Sequence, residues 1–280
     1  MASLDSPITI VRPHRIEFGV GTAGKLGKWA DEKGYRRTLV ISDAFNASRI
    51  DVLELKGEVT VFADVTPEPD TANLEKVLAA ANAADAELIV GFGGGSAMDL
   101  AKLAAVLAGS TQTLHEVVGP NKVHGPRKVA LAQVPTTSGT GSEAGIRALV
   151  TDPATMAKLA VESLHMLADI AVIDPALTFS VPARTTAATG VDAMAHCVEA
   201  FTNRKAHPMV DIYAIEERAS SANISPAPSR TATTPRRAPA CHSPRFTAAF
   251  AWARSTPPAA MRSPIPSAPA GMWPMARPMR

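Results

Sequence analysis

Through the first two-thirds of the chain, short apolar runs alternate with stretches of helical period, the pattern of a parallel sheet covered by helices. Arg15–Gly19 reads as a strand followed by a helix through Trp29, Arg37–Asp43 as a buried strand ending on an acid, and Val59–Val65 as a third strand. The turn Pro67-Glu68-Pro69 leads to a helix from about Thr71 to Ala84, with Asp70 or Thr71 placed to cap its first turn. Leu88–Lys102 reads as strand, glycine turn and helix, and Lys128–Val134 as the next strand. Ile146–Thr151 and Ala157–Val161 form a hairpin around Thr151-Asp-Pro-Ala154, and Asp169–Asp174 is the last strand. From Pro182 to about Glu217 the period is helical. The change of period predicts a boundary near residue 180, with an α/β domain over 1–180 and the start of a helical domain over 181–217.

Composition divides the chain a second time. The net charge of +2 averages two unlike segments: residues 218–280 hold nine Arg and no Lys, Asp or Glu, which leaves −7 on the first 217. The same 63 positions contain 12 of the 23 prolines, and each proline removes a backbone donor and fixes φ, so the tail is expected to be disordered. No run of about 18 apolar residues occurs and the N-terminus lacks a basic start before an apolar core, so a soluble, cytoplasmic protein is expected, with no membrane span. Two cysteines, Cys197 and Cys241, are too few for a disulfide framework.

Three stretches carry candidate chemistry. In Gly93-Gly-Gly-Ser-Ala-Met-Asp-Leu-Ala-Lys102 the glycines let the backbone approach an anion at the free N–H groups of a new helix, although a bland tight turn with Ser96 and Asp99 as caps has the same look. Lys102, one turn further on, reads as solvated. Pro135-Thr-Thr-Ser-Gly-Thr-Gly-Ser-Glu143 is a polar loop at a strand's C-terminal end, where open α/β sheets bind ligands. In Ala188-Thr-Gly-Val-Asp-Ala-Met-Ala-His196, Asp192 and His196 stand four apart and so share a helix face, a donor pair suited to Fe²⁺, Zn²⁺ or Mn²⁺. Two ligands are too few for such ions. His207, before Pro208, reads as a surface histidine, Cys197 as a packing residue turned from the ion, and Glu199 as solvated.

These three motifs, in this order, resemble the iron-containing (group III) alcohol dehydrogenase family, whose fold is shared with dehydroquinate synthase and glycerol dehydrogenase; the resemblance covers about residues 10–217. It implies a Rossmann-like parallel sheet followed by an all-helical, dehydroquinate synthase-like domain, here truncated. It implies NAD with its diphosphate on Gly94, Gly95 and Ser96, next to Asp99, with Thr136, Thr137 and Thr140 around the phosphate and nicotinamide side and Lys158 in contact. Asp43 matches the position that meets the adenine ribose, where a carboxylate accepts from a 2′-hydroxyl and repels a 2′-phosphate, favouring NAD over NADP. Asp192 and His196 match two of the metal ligands, for Fe²⁺ or Zn²⁺. The implied reaction is hydride transfer between a small alcohol or aldehyde and NAD, in a homodimer that binds no nucleic acid. A maleylacetate reductase, a glycerol dehydrogenase-like enzyme or a dead nucleotide-binding remnant are the other readings.

The family's third and fourth metal ligands, both His, have no counterpart beyond residue 217, where only His242 occurs. Re-reading the codons from the third nucleotide supplies a cause. Met272–Arg280 then admits Val-Ala-His-Gly-Ala-Ala-Asn-Ala, and Ala260–Ala268 admits His-Ala-Leu-Ser-Tyr-Pro-Leu-Gly, both similar to the family's ligand segments. The two His codons end within Met261 and Met275, 14 positions apart as in the family. The expectation is that residues after about 217 are the out-of-frame translation of an ordinary family C-terminus; a natural basic tail that binds anions is the alternative.

Overall fold

The computed structural model describes residues 7–202 and 206–214. Expectations for residues 215–280, including the tail and His242, lie outside the described residues. The elements are β1 (Arg15–Phe18), α1 (Lys25–Glu32), β2 (Arg37–Ser42), α2 (Ala44–Ala47), β3 (Glu58–Phe62), α3 (Thr71–Ala83), β4 (Leu88–Gly93), α4 (Gly95–Leu107) and α5 (Leu114–Val117). They continue with β5 (Gly119–Pro120), β6 (Ala130–Pro135), β7 (Arg147–Asp152), β8 (Ala157–Glu162), β9 (Ile170–Ile173) and α6 (Ala183–Thr202). A further helical segment spans 208–214.

Six strands form one parallel sheet in the order β1-β9-β6-β4-β2-β3. Both its faces are covered, so its central strands are apolar throughout rather than alternating. Leu39, Ile41, Ile89 and Leu131 pack with α3 and α4 on one face. Val40, Leu88, Val90, Phe92, Ala132, Val134, Ile170 and Val172 pack on the other with α1 residues Leu26 and Trp29. A leucine or isoleucine buried this completely contributes about 2 kcal/mol relative to exposure, which fixes the register of each strand.

The strand order has a switch point. The chain leaves β2 for its neighbour β3 on one side, and leaves β4 for β6 on the other. At such a point the two connections diverge and leave a crevice outside the carboxyl ends of the strands. The expected hairpin is present: β7 and β8 pair antiparallel from Arg147 opposite Glu162 to Asp152 opposite Ala157, with short β5 on the β8 edge. Asp70 caps α3 by accepting the Asn73 N–H at 2.8 Å.

Two expectations are corrected. The Lys102 side chain is 1% exposed, because α4 lies against both the sheet and β7 and leaves that face no solvent. His207 is buried too, as the N-terminal cap of the segment 208–214: its Nδ1 accepts the Met209 N–H at 3.2 Å and its carbonyl accepts those of Val210 and Asp211. A histidine before proline has the backbone of a cap, and its imidazole here supplies the acceptor. Cys197 is buried with Ala193 and Ala214, as expected of a packing residue.

Candidate functional site

A cavity of about 540 Å³ opens at the switch point, lined by Asp43 after β2, Gly94, Ser96 and Ala97 at the start of α4, and Thr136 and Thr137 after β6. Its far wall comes from Val65, Thr66 and Pro67 and from Ser180, Val181, Pro182 and Thr185 at the entry to α6. A larger cavity of about 640 Å³ lies at the opposite ends of the strands. Most of its charged groups pair with one another, Arg37 with Asp85 and Glu87, Arg127 with Asp169. The switch-point cavity is the one with an open helix N-terminus.

Gly94 caps α4 without a side-chain hydrogen bond, so the first-turn N–H groups of this 13-residue helix have no acceptor within the helix and face the cavity with the positive end of its dipole. Gly95 is held close to the polar loop: a Cβ there would lie 3.0 Å from Thr140 Cγ2 and 3.1 Å from its Oγ1. Gly95 and Thr140 therefore stand directly behind the lining residues. An anion with several oxygens fits such a cradle.

Asp43 is oriented before any ligand arrives. Its Oδ1 accepts the Asn46 N–H at 3.0 Å and its Oδ2 the Asn46 side-chain amide at 2.6 Å. Asn46 also donates to Thr136 Oγ1 at 3.3 Å and accepts from Arg49 Nη2 at 2.5 Å. Arg49 in turn donates to the Leu177 carbonyl at 3.0 Å and to Ser180 Oγ at 3.1 Å, its guanidinium 4.9 Å from the Phe45 ring centre. Burial pushes the Arg49 pKa down, and the Asp43 carboxylate opposes that shift. Sequence reasoning named neither Asn46 nor Arg49. The signal was an Asp-x-x-Asn-x-x-Arg spacing on the helical turn after a strand-ending acid.

Of the residues assigned to the cofactor by resemblance, Gly95 and Thr140 stand behind the lining, and Asp99 and Lys158 do not line the cavity either. Asp99 points the other way, accepting from Ser142 Oγ at 2.5 Å and from the Leu149 N–H at 3.0 Å, with Lys102 Nζ 3.2 Å away. Lys158 sits on β8 and pairs at 3.6 Å with Glu68, next to the lining residue Pro67.

Asp192 and His196 do converge, Oδ1 to Nε2 at 3.5 Å, with the His196 side chain 18% exposed and that of Asp192 49%. Glu199 Oε2 lies 3.4 Å from His196 Nδ1, on the side away from Asp192, and is 62% exposed. The donor chemistry suits Fe²⁺ or Zn²⁺, yet among the described residues no group of three or more His, Cys, Asp or Glu could hold a metal ion. The pair is tied to the cavity by its helix. Thr185 lines the cavity, seven residues and about 10 Å along the axis from Asp192. Gly139 of the polar loop packs directly on Thr189.

Comparison with known proteins gives a consistent picture. Residues 13–175 match the family model "Iron-containing alcohol dehydrogenase", and residues 186–220 match "Fe-containing alcohol dehydrogenase family, C-terminal". The chain is 39% identical over 215 residues to long-chain-alcohol dehydrogenase 1 of Geobacillus thermodenitrificans, covering 74% of this chain and 54% of that protein. It is 30% identical over 211 residues to the NAD-dependent methanol dehydrogenase of Bacillus methanolicus, covering 73% of this chain and 55% of that one. The chain thus spans about half the length of these curated relatives. Among solved structures, sulfoacetaldehyde reductase from Bifidobacterium kashiwanohense in complex with NAD⁺ superposes with a TM-score of 0.77 at 27% identity, over 89% of this chain and 66% of that one. An iron-containing alcohol dehydrogenase from Thermotoga maritima gives 0.74 at 27% identity, over 88% and 68%.

Proposed function

The chain belongs to the iron-containing alcohol dehydrogenase family, and from that premise we propose that its switch-point cavity binds NAD, in an oxidoreductase lineage that moves hydride between a small alcohol or aldehyde and that cofactor. The observation that carries the reading is the cavity itself, which joins a pre-oriented Asp43 to the open N-terminus of α4.

In this reading the backbone at Gly94, Gly95 and Ser96 receives the diphosphate, while Thr136, Thr137 and Thr140 wall its other side. Asp43 accepts from the adenine-ribose 2′-hydroxyl, and its charge repels a 2′-phosphate. Lys158 and Asp99 take part from outside the cavity wall. Asp192 and His196 would hold the metal. When bound, Fe²⁺ or Zn²⁺ supplies Lewis-acid stabilisation of an alkoxide oxygen, and NAD⁺ supplies the hydride acceptor. The entry to α6 forms one wall of the cavity and places the ligand pair further along the same helix.

The reading also includes a domain boundary near residue 180, an out-of-frame origin for residues after about 217, a cytoplasmic location and a homodimer. It is supported by the resemblance and by the composition of residues 218–280. Among the described residues no helix is long and apolar enough to cross a membrane.

Calorimetric titration of the full chain with NAD⁺ tests the cofactor; saturable binding is expected, and its absence sinks the reading. Turnover of a primary alcohol with NAD⁺ and added Fe²⁺ or Zn²⁺ tests the metal half. With two donors described, no turnover is expected, and a clear metal-dependent rate would show that residues beyond these two complete the site. Sequencing the gene across codons 210–225 and onward tests the frame, which is refuted if the shifted frame lacks the two His codons.

A further inference from the structure

Behind the cradle is a buried ionic clamp that touches none of the cavity. Asp99 lies one turn into α4, its side chain 17% exposed, and Lys102 one turn further, 1% exposed. A lysine buried this deeply needs a carboxylate and hydrogen-bond acceptors, since an unpaired charge there is costly. It has both: Asp99 Oδ1 at 3.2 Å, and the carbonyl of Arg147, which accepts from Nζ at 2.5 Å. Asp99 in turn accepts from Ser142 Oγ through Oδ1 and from the Leu149 N–H through Oδ2. Two side chains of one helix thereby fasten three segments: α4, the 3-10 turn Ser142–Ala144, and β7.

The clamp has a path to the cavity. Thr140 Oγ1 accepts the Ser142 N–H at 3.3 Å, and Thr140 is the side chain seated against Gly95. Between Thr140 and Ser142 the chain turns through Gly141, whose φ of 61° is in the left-handed region and gives the loop a sharp corner. Asp99 therefore sets where Ser142 sits, Ser142 sets where Thr140 sits, and Thr140 sets the gap between the polar loop and the glycine turn. Those are the two walls of the anion cradle.

We propose that Asp99 and Lys102 are positioning residues, a buried ion pair that holds the Thr140–Ser142 corner against Gly95 and so fixes the width of the diphosphate cradle. This rests on the cofactor reading above. The gain is preorganisation, since a loop held at the right spacing does not have to be ordered when the ligand binds.

The test uses the full chain, its Asp99→Asn and Ser142→Ala variants, and three probes: NAD⁺, ADP and adenosine. Asp99→Asn keeps an oxygen acceptor but removes the charge that holds Lys102; Ser142→Ala removes only the link to the corner. Both are expected to weaken NAD⁺ and ADP at least about tenfold while adenosine, which lacks the diphosphate, stays within about twofold. A purely structural role would lower the melting temperature and leave the affinities of the folded protein equal, or weaken all three probes alike; either result overturns the proposal. Amide hydrogen exchange without ligand gives an independent readout. Amides 140–142 are expected to exchange faster in both variants, with β4 and β6 unchanged, and unchanged exchange at 140–142 also overturns it. If the wild-type chain binds no NAD⁺, the cofactor reading fails, and the exchange comparison still decides whether the clamp sets the corner.

Discussion

Gly139→Ala is the sharpest test of how the metal-pair helix is seated. An alanine Cβ at this position would lie 2.7 Å from Thr189 Cβ, 3.0 Å from the Thr189 carbonyl oxygen and 3.3 Å from its Cα. Carbon atoms rest at about 3.5–4.0 Å, so the overlap approaches 1 Å. Rotamer change at Thr189 cannot relieve it, because Cβ, Cα and O move only with the helix. The polar loop and α6 must therefore part. Gly139 does not occupy the left-handed region, so the cost is contact and not backbone strain. Overpacking of this kind costs about 1–3 kcal/mol. At about 2–4 °C per kcal/mol for a domain of this size, a mid-range 2 kcal/mol lowers the melting temperature by about 4–8 °C. Circular dichroism of the full chain measures this, and amide exchange over residues 183–202 should rise at the same time. Thr189→Ala retains the offending Cβ, so adding it should rescue nothing. Thr189→Gly removes the Cβ but adds about 1 kcal/mol of helix cost and leaves the carbonyl contact. A Gly139→Ala protein with wild-type melting and unchanged α6 exchange would refute the reasoning.

Three further outcomes are expected. Asp43→Ser should narrow any preference for NAD⁺ over NADP⁺ by at least about tenfold in calorimetric titrations, because it removes a charge facing the 2′-position. Asp70→Ala deletes the cap on α3 and should cost about 1 kcal/mol in urea unfolding at neutral pH. Glu87 is held below the usual glutamate range because its Oε2 accepts the N–H groups of Arg36 at 2.7 Å and Arg37 at 3.0 Å. With a depressed folded pKa, its stabilisation is present above the ordinary value of about 4.3 and is lost as pH falls through the lower folded one. Glu87→Gln should therefore flatten the loss of urea midpoint on acidification, and an acid limb identical to wild type would count against it.

The sheet, the glycine turn, the hairpin and the Asp70 cap were legible in the sequence because each is specified by neighbours in the chain. Apolar runs gave β2, β6 and β9 to within two residues at either end and the start of β4 at Leu88, and the spacing of Asp192 and His196 predicted a shared face on which the structure brings the two side chains to 3.5 Å. Local pattern failed where a residue's surroundings come from far along the chain. Lys102 read as solvated because nothing near it in the chain shows that its helix face is covered; β7, some 45 residues on, helps cover it and supplies the Arg147 carbonyl. Asp99 read locally as a helix cap and was assigned to the cofactor only by resemblance, whereas tertiary packing turns it toward Ser142 and Leu149.

The motif chemistry, the alternation of strand and helix, and the break in composition near residue 217 were thus the sequence's own. What the tertiary structure decided was which of the strand ends meet. Only the order β6-β4-β2 brings Asp43, Gly94 and Thr136 to one crevice, and only the close approach of Gly139 to Thr189 ties the metal-pair helix to it. The physical reason is that hydrophobic period fixes which face of a strand is buried, whereas the order of strands depends on how the connections between them pack.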